Sequence, residues 1–386
     1  MRKLLFVLCI FAAYSFGQTP TPESVANPAA AGSLQPNWST TPDGHALLSW
    51  IEPVKGGGFG LRYAIRGGSG WSEAHSIVEN RHFFRHPAEV PEVMQLGEKQ
   101  WMAHWVEMPM ESSEAEFVYV SSSTDGLHWS APVMVNKDKS PVEHGLVSMA
   151  ASGPGEISVF WLETPKGEDG PGYLMRSIVN AQGQVSKEEI LDRDICNCCP
   201  TAVTRTTKGL LVAYRDHTPD DIRDISVIRF ENGKWTQPKN VYPDKWQLNA
   251  CPTNAAAVVA KGDRVALAWY TGAGTTPKVE LVFSSDGGAT FTKPIVVSTG
   301  HAYGYTSLAL ADDGTASISW LQQAEGGSAR VMARSVSPAG VLAPAVQVSE
   351  GGRMALGYPR ISHAGAETWI AWGGAKVQTA RLNVKK

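Results

Sequence analysis

An all-β, seven-bladed β-propeller is the fold predicted by three features of this 386-residue chain. Short Val/Ile/Trp/Tyr runs dominate, bounded by Gly, Pro, Asn and Asp, and no long helix-period apolar stripe competes with them. Seven such runs (HALLSWIE, WMAHWVE, ISVFWLE, LLVAYRD, VALAWYT, ASISWLQ and TWIAWGG) place Trp50, Trp105, Trp161, Tyr214, Trp269, Trp320 and Trp372 at intervals of 51–56 residues. A period near fifty made of short strands is the signature of four-stranded blades around an axis. Six blades with one irregular repeat is the alternative.

Each repeat reads as an inner strand (TNAAAVVA in the fifth), the aromatic strand, a third strand (VELVFSS), a Gly-containing turn and a fourth strand (KPIVVST). The last repeat stops after its third strand, VQTARLNV. The segment PESVANP at residues 22–28 resembles the fourth strands AHSIVEN and APVMVNK. Residues 22–28 are therefore expected to complete the last blade and remove the open edge. The repeated Trp residues are expected between blades. Arg66, Arg176, Arg334 and Arg381 recur late in third strands and read as structural, solvent-side positions.

Before the repeats, Arg2 and Lys3 precede an apolar run over Leu4–Tyr14, and Ser15-Phe16-Gly17 supplies small residues. This reads as a signal peptide, residues 1–17, cleaved after Gly17, with residues 18–386 forming one domain. Cys9 sits between Leu8 and Ile10, a poor lipobox. No other segment approaches membrane-spanning length. An exported protein, periplasmic or extracellular, is expected, with its remaining four cysteines in an oxidising space. Net charge is −3 and no Lys/Arg block stands out, which removes the electrostatic footprint of a nucleic-acid binder. A monomer is expected.

The turns Ser123-Thr124-Asp125-Gly126-Leu127-His128-Trp129 and Ser284-Ser285-Asp286-Gly287-Gly288-Ala289-Thr290-Phe291 resemble the Asp-boxes (BNR repeats) of the sialidase-like propellers. Gly70-Trp71 and Gly233-Lys234-Trp235 look like worn copies. Such boxes are structural: Asp and Ser satisfy the tight turn's amides while the aromatic plugs the gap between strands.

If those turns form one face, the second-to-third loops and the fourth-to-first crossovers form the other, around the channel mouth. DICNCCPTA (194–202) and NACPTNA (249–255) are equivalent crossovers before consecutive inner strands, so Cys196, Cys198, Cys199 and Cys251 converge. Two disulfides, Cys196–Cys199 and Cys198–Cys251, are one reading. A soft-metal site holding copper or zinc on all four thiolates is another. Redox-active thiols are the third. On the same face lie Glu52, Glu107, Glu163 and Asp216 at second-strand ends, the hairpin Tyr214, Arg215, Asp216, Arg223 and Asp224, and His144 and His301 before inner strands. Cross-strand ion pairs could account for the hairpin charges.

The resemblance also implies sialidase chemistry: three arginines on a substrate carboxylate, a Tyr/Glu nucleophile pair and an Asp acid/base. Phe84-Arg85-His86-Pro87 is similar to the family's F/Y-R-I-P, departing at its third residue. Arg215 and Arg360 would be the other arginines, and Tyr305 or Tyr358 with Glu163 the nucleophile pair, but no family motif surrounds them, and no acid/base aspartate is evident. The reading is therefore an exported propeller that binds a ligand or soft metal ion without glycosidase turnover. The alternatives are a glycoside hydrolase acting on acidic sugars and a protein-interaction scaffold. The expected partner is a small molecule, a glycan or a metal ion.

Overall fold

A computed structural model describes residues 21–108, 115–165, 167 and 170–383. The expected signal peptide lies outside them. Seven antiparallel sheets follow one another around a ring, their inner strands neighbouring in sequence order. Blade one comprises Leu34–Thr40, Ala46–Pro53, Phe59–Gly67 and His75–Arg81, and blade two Glu92–Gly97, Gln100–Glu107, Phe117–Ser123 and Val133–Met134. Blade three is His144–Gly153, Glu156–Glu163, Gly172–Asn180 and Glu189–Ile195, and blade four Ala202–Arg205, Leu210–Arg215, Ile225–Glu231 and Lys239–Asn240. Blades five and six run from Ala257–Lys261 to Ile295–Val296 and from Ala302–Leu310 to Val346–Gly351. The seventh consists of Arg360–Ala364, Glu367–Trp372, Gln378–Asn383 and the N-terminal strand Thr21–Ser24.

That last pairing closes the ring. Thr21 lies opposite Asn383 and Ser24 opposite Ala380. Val25 and Asn27 continue the seam through Val25 N to Thr379 O (3.0 Å) and Asn27 Nδ2 to Val377 O (3.1 Å). The expected fourth strand is thus present, although its regular part ends at Ser24 rather than at residue 28.

The aromatic strands are buried along almost their whole length, because each is covered by blades on both faces. Trp50, Trp105, Trp161, Trp269, Trp320 and Tyr214 are all fully buried. In blade seven this role passes to Trp369, which packs with Trp38 and Trp71 of blade one, while Trp372 sits at the strand end. Three of the four recurrent arginines staple neighbouring blades, and Arg176 is buried rather than on the solvent side, while Arg381 bonds within blade seven. Arg176 lies over Phe230 and Trp235, Arg66 over Trp369, and Arg334 donates to Val297 O.

Both Ser-x-Asp-Gly turns close as expected. Ser123 Oγ accepts from Gly126 N, and Asp125 Oδ1 from Leu127 N and His128 N; Ser284 and Asp286 repeat the pattern. Among the described residues, no helix is long and apolar enough to cross a membrane.

Candidate ligand and metal site at the cysteine crossovers

The crossover from blade three to blade four leaves Glu189–Ile195 and is pinned at once to the end of the next blade's aromatic strand. Ile195 bridges Asp216, and Cys196 N donates to Arg215 O at 3.0 Å. Gly172 makes this close pass possible, since a Cβ there would sit 2.9 Å from Asn197 Cα. Beyond the cysteines, Thr201 N bonds Leu146 O and Thr201 Oγ1 pairs with Ser148 Oγ at 2.7 Å, docking the chain on blade three. The equivalent crossover before blade five is held by Asn254, whose Oδ1 accepts from Tyr305 N and whose Nδ2 donates to Tyr303 O. Tyr358 Oη donates to Thr253 O at 2.5 Å.

These anchors bring the four sulfurs together, but not as four equivalent thiolates. Cys198 and Cys251 form a disulfide, with Cα atoms 6.0 Å apart, a usual span. Cys196 and Cys199 stay reduced and buried, their Sγ atoms 3.0 Å apart, and Cys196 Sγ lies 3.7 Å from Cys198 Sγ. With Cys198 bonded to Cys251, two of the sulfurs staple adjacent crossovers and the Cys196–Cys199 dithiol remains, the sulfurs of Cys196, Cys198 and Cys199 all lying within 4.8 Å of one another. Within the dithiol the proton is unequally shared. The hydrogen bond between the two thiols pulls Cys196 below its ordinary value, helped by Arg215 and Arg223, while burial pushes Cys199 well above.

Above the disulfide opens a pocket of about 620 Å³, walled by Glu143, Asp194, Asn197, His217, Asp221, Arg223 and Asn249. His217 is clamped between two carboxylates, with Nδ1 2.7 Å from Asp194 Oδ1 and Nε2 3.2 Å from Asp221 Oδ1. Arg223 spends Nε on Leu248 O and lies 3.9 Å from Asp221. The lining can both donate and accept, which suits a polar, hydroxyl-bearing ligand. A second cavity of about 220 Å³, reaching Phe84, His86 and Glu116, shares Asn197, Cys198 and Cys251 as a wall.

Of the hairpin residues expected to contact ligand, only Arg223 lines the larger pocket. Tyr214 is buried and donates to Asp192 Oδ2 at 2.6 Å. Arg215 is 1 % exposed, and its guanidinium is spent on three carbonyls: Asn254 O (3.2 Å), Arg223 O (2.6 Å) and Tyr270 O (2.8 Å). Asp216 accepts from Ser226 Oγ and His217 N, and Asp224 from Lys245 N and Trp246 N. These four residues build the hairpin and its crossover. His144 is buried in blade three, and His301 is exposed at the start of blade six, lining neither cysteine cavity.

The arrangement implied for catalysis is not assembled. Arg85 lies over Phe59 and lines a separate recess with Met354 and Gly374, while Arg360 lines the central channel with Glu92. Tyr305 and Tyr358 pack against each other with their rings tilted by 47° (4.3 Å between centroids), whereas Glu163 faces His144 in blade three. Glu52 and Glu107, expected at the rim, are nearly buried and accept the indole N–H of Trp50 and Trp105. Sequence reasoning missed Asp194, His217, Asp221 and Asn249, although RDHTPDD beside the cysteine crossovers carried the signal.

No family model matches the chain, and no curated protein is similar to it in sequence. Solved structures do share its fold. An alpha-L-arabinanase from Penicillium chrysogenum complexed with arabinobiose is 12% identical, with 94% of this chain and 99% of that chain covered at a TM-score of 0.53. An ulvan lyase bound to a glucuronate- and sulfated-rhamnose-containing ligand is 12% identical over 92% and 95%, with a TM-score of 0.56. An alpha-L-arabinofuranosidase from Fusarium graminearum is 11% identical over 91% and 93%, at 0.52. At such identities the likeness is one of fold, a β-propeller.

Proposed function

We propose that this chain is an exported propeller that holds a soft metal ion on the Cys196–Cys199 dithiol, beneath a polar ligand pocket and without glycosidase turnover. The observation that carries the reading is the facing pair of buried, reduced thiols 3.0 Å apart. Thiolates select soft ions, and two of them suffice for Cu(I), whereas zinc prefers four ligands and would need the neighbouring disulfide opened. Absence of turnover is supported by Arg215, whose donors are committed to backbone, and by the separation of Arg85, Arg215 and Arg360 into three surroundings.

Protein purified from the periplasm and loaded anaerobically with Cu(I) should retain one copper per chain. The Cys198–Cys251 bridge should stay intact by mass spectrometry. Cys196→Ser and Cys199→Ser should each lose the ion. A second disulfide between Cys196 and Cys199, or a dithiol that retains no copper, would sink the reading.

An oligosaccharide is the second ligand reading, favoured by the Asp194–His217–Asp221 lining and consistent with the resemblance of the Ser-x-Asp-Gly turns to sialidase-like proteins. Binding to a panel of neutral and acidic glycans should then weaken at least tenfold in His217→Ala. Should the protein instead hydrolyse a fluorogenic sialoside and lose that turnover in Arg85→Ala, the hydrolase alternative replaces both readings.

A further inference from the structure

Blade three breaks a rule that other blades keep. In the aromatic strands of blades one, two and six, the residue two positions after the tryptophan accepts its indole N–H. The pairs are Trp50 with Glu52 (2.7 Å), Trp105 with Glu107 (2.6 Å) and Trp320 with Gln322 (2.9 Å). Trp161 and Glu163 occupy the same positions, yet the buried Trp161 Nε1 makes no well-formed hydrogen bond. Glu163 instead faces the imidazole of His144, Oε2 to Nε2 3.7 Å, which is too long for a hydrogen bond.

His144 is 0 % exposed, and its two ring nitrogens are unlike. Nδ1 lies 2.9 Å from Glu116 O, and a carbonyl only accepts, so Nδ1 carries the proton. Nε2 is thereby left with a lone pair, is buried, and has no partner. An imidazole oriented by an Nδ1–H to carbonyl bond with Nε2 free is how a metal-ligating histidine is held. Asp138, on the crossover entering blade three, completes the group: ligand atoms of Asp138, His144 and Glu163 all lie within 4.8 Å of one another. That crossover is fixed by Asn136, which accepts from Val118 N and donates to Asp138 O, and by Asp138 Oδ1 accepting from Ser140 N. Glu188 stands next to it and accepts from Lys137 N. Among the described residues, neither Asp138, Glu163 nor Glu188 pairs with a lysine or arginine.

The geometry points to a divalent transition-metal site on Asp138, His144 and Glu163, of the nitrogen–oxygen kind that takes Zn(II). One imidazole and two carboxylates fit that ion, and an exposed Asp138 leaves a path from solvent. Bound metal would tie the 136–143 crossover to the aromatic strand of its blade. The site shares no residue with the dithiol, so either can fail while the other stands.

The test uses the full mature chain carrying Cys196→Ser and Cys199→Ser, titrated with Zn(II) and, for spectroscopy, Co(II). One ion per chain is expected, with a Co(II) spectrum free of thiolate charge transfer and a melting temperature that rises with Zn(II). Asp138→Asn and Glu163→Gln should each weaken binding at least tenfold; Asp138 is exposed, so its replacement should leave the fold intact. Zero stoichiometry in the cysteine-substituted chain, or unchanged affinity in both carboxamide variants, overturns the site.

Discussion

Arg215 shows how a residue that reads as a ligand contact becomes a structural one. It follows Tyr214 in a charged hairpin on the channel-facing side, yet its three bonds run to carbonyls from the next crossover, its own hairpin and a neighbouring blade. Fork geometry matters here, because an ammonium cannot reach three divergent acceptors at once. Arg215→Ala is expected to cost roughly 3–5 kcal/mol by stranding buried carbonyls. Arg215→Lys should recover little of that loss by chemical denaturation. A variant as stable as the parent with altered ligand binding would return Arg215 to the binding site. The cysteines make the same point: their spacing said that they meet, but only distances separated the Cys198–Cys251 staple from the Cys196–Cys199 dithiol. In the chain-entropy picture a bridge closing a 53-residue separation contributes roughly 4 kcal/mol.

Among the elements, the N-terminal strand carries the most consequence for its length. Thr21–Ser24 supplies the fourth strand of blade seven, and Arg381 reaches Glu23 across the seam and Glu367 on its other neighbouring strand. Without it, Gln378–Asn383 presents unpaired backbone to solvent, a template for other chains. A chain beginning at Ala29 should melt several degrees lower than one beginning at Gln18, and should form dimers or aggregates visible by size-exclusion chromatography. Equal melting and a clean monomer would show that closure contributes little. The seam was legible from the missing fourth strand and the spare matching segment. Trp372 was legible as a repeat position but not as a strand-end residue, because Trp369 fills the space between blades seven and one.

Across the whole molecule, packing seven blades buries carboxyls around the axis. Burial raises Glu89 to about 8, Glu92 to about 7 and Glu116 to about 9, even though Glu89 accepts from Leu146 N and Val147 N. An acid whose folded value lies above its unfolded one keeps its proton longer in the native state. Its contribution is therefore whole below the unfolded value near 4.5 and is lost as pH rises through the folded value. The melting temperature should fall between about pH 5 and pH 9. Glu89→Gln, neutral and similar in shape, should match the parent near pH 5 and exceed it near pH 9; a parallel pH profile for the two would refute the assignment.

Periodicity by itself determined the blade count, the aromatic strands, the closing segment and the meeting of two Cys-Pro-Thr crossovers, because each follows from a repeat that places equivalent residues at equivalent positions. Only the tertiary structure decided which sulfurs pair, that Arg215 faces carbonyls rather than solvent, that His217 stands between Asp194 and Asp221, and that Glu163 turns from Trp161 towards His144. The first three outcomes depend on contacts between different blades and crossovers, and the last on side-chain placement between paired strands of blade three. A strand's sequence states which face a side chain takes, but not which neighbour arrives there.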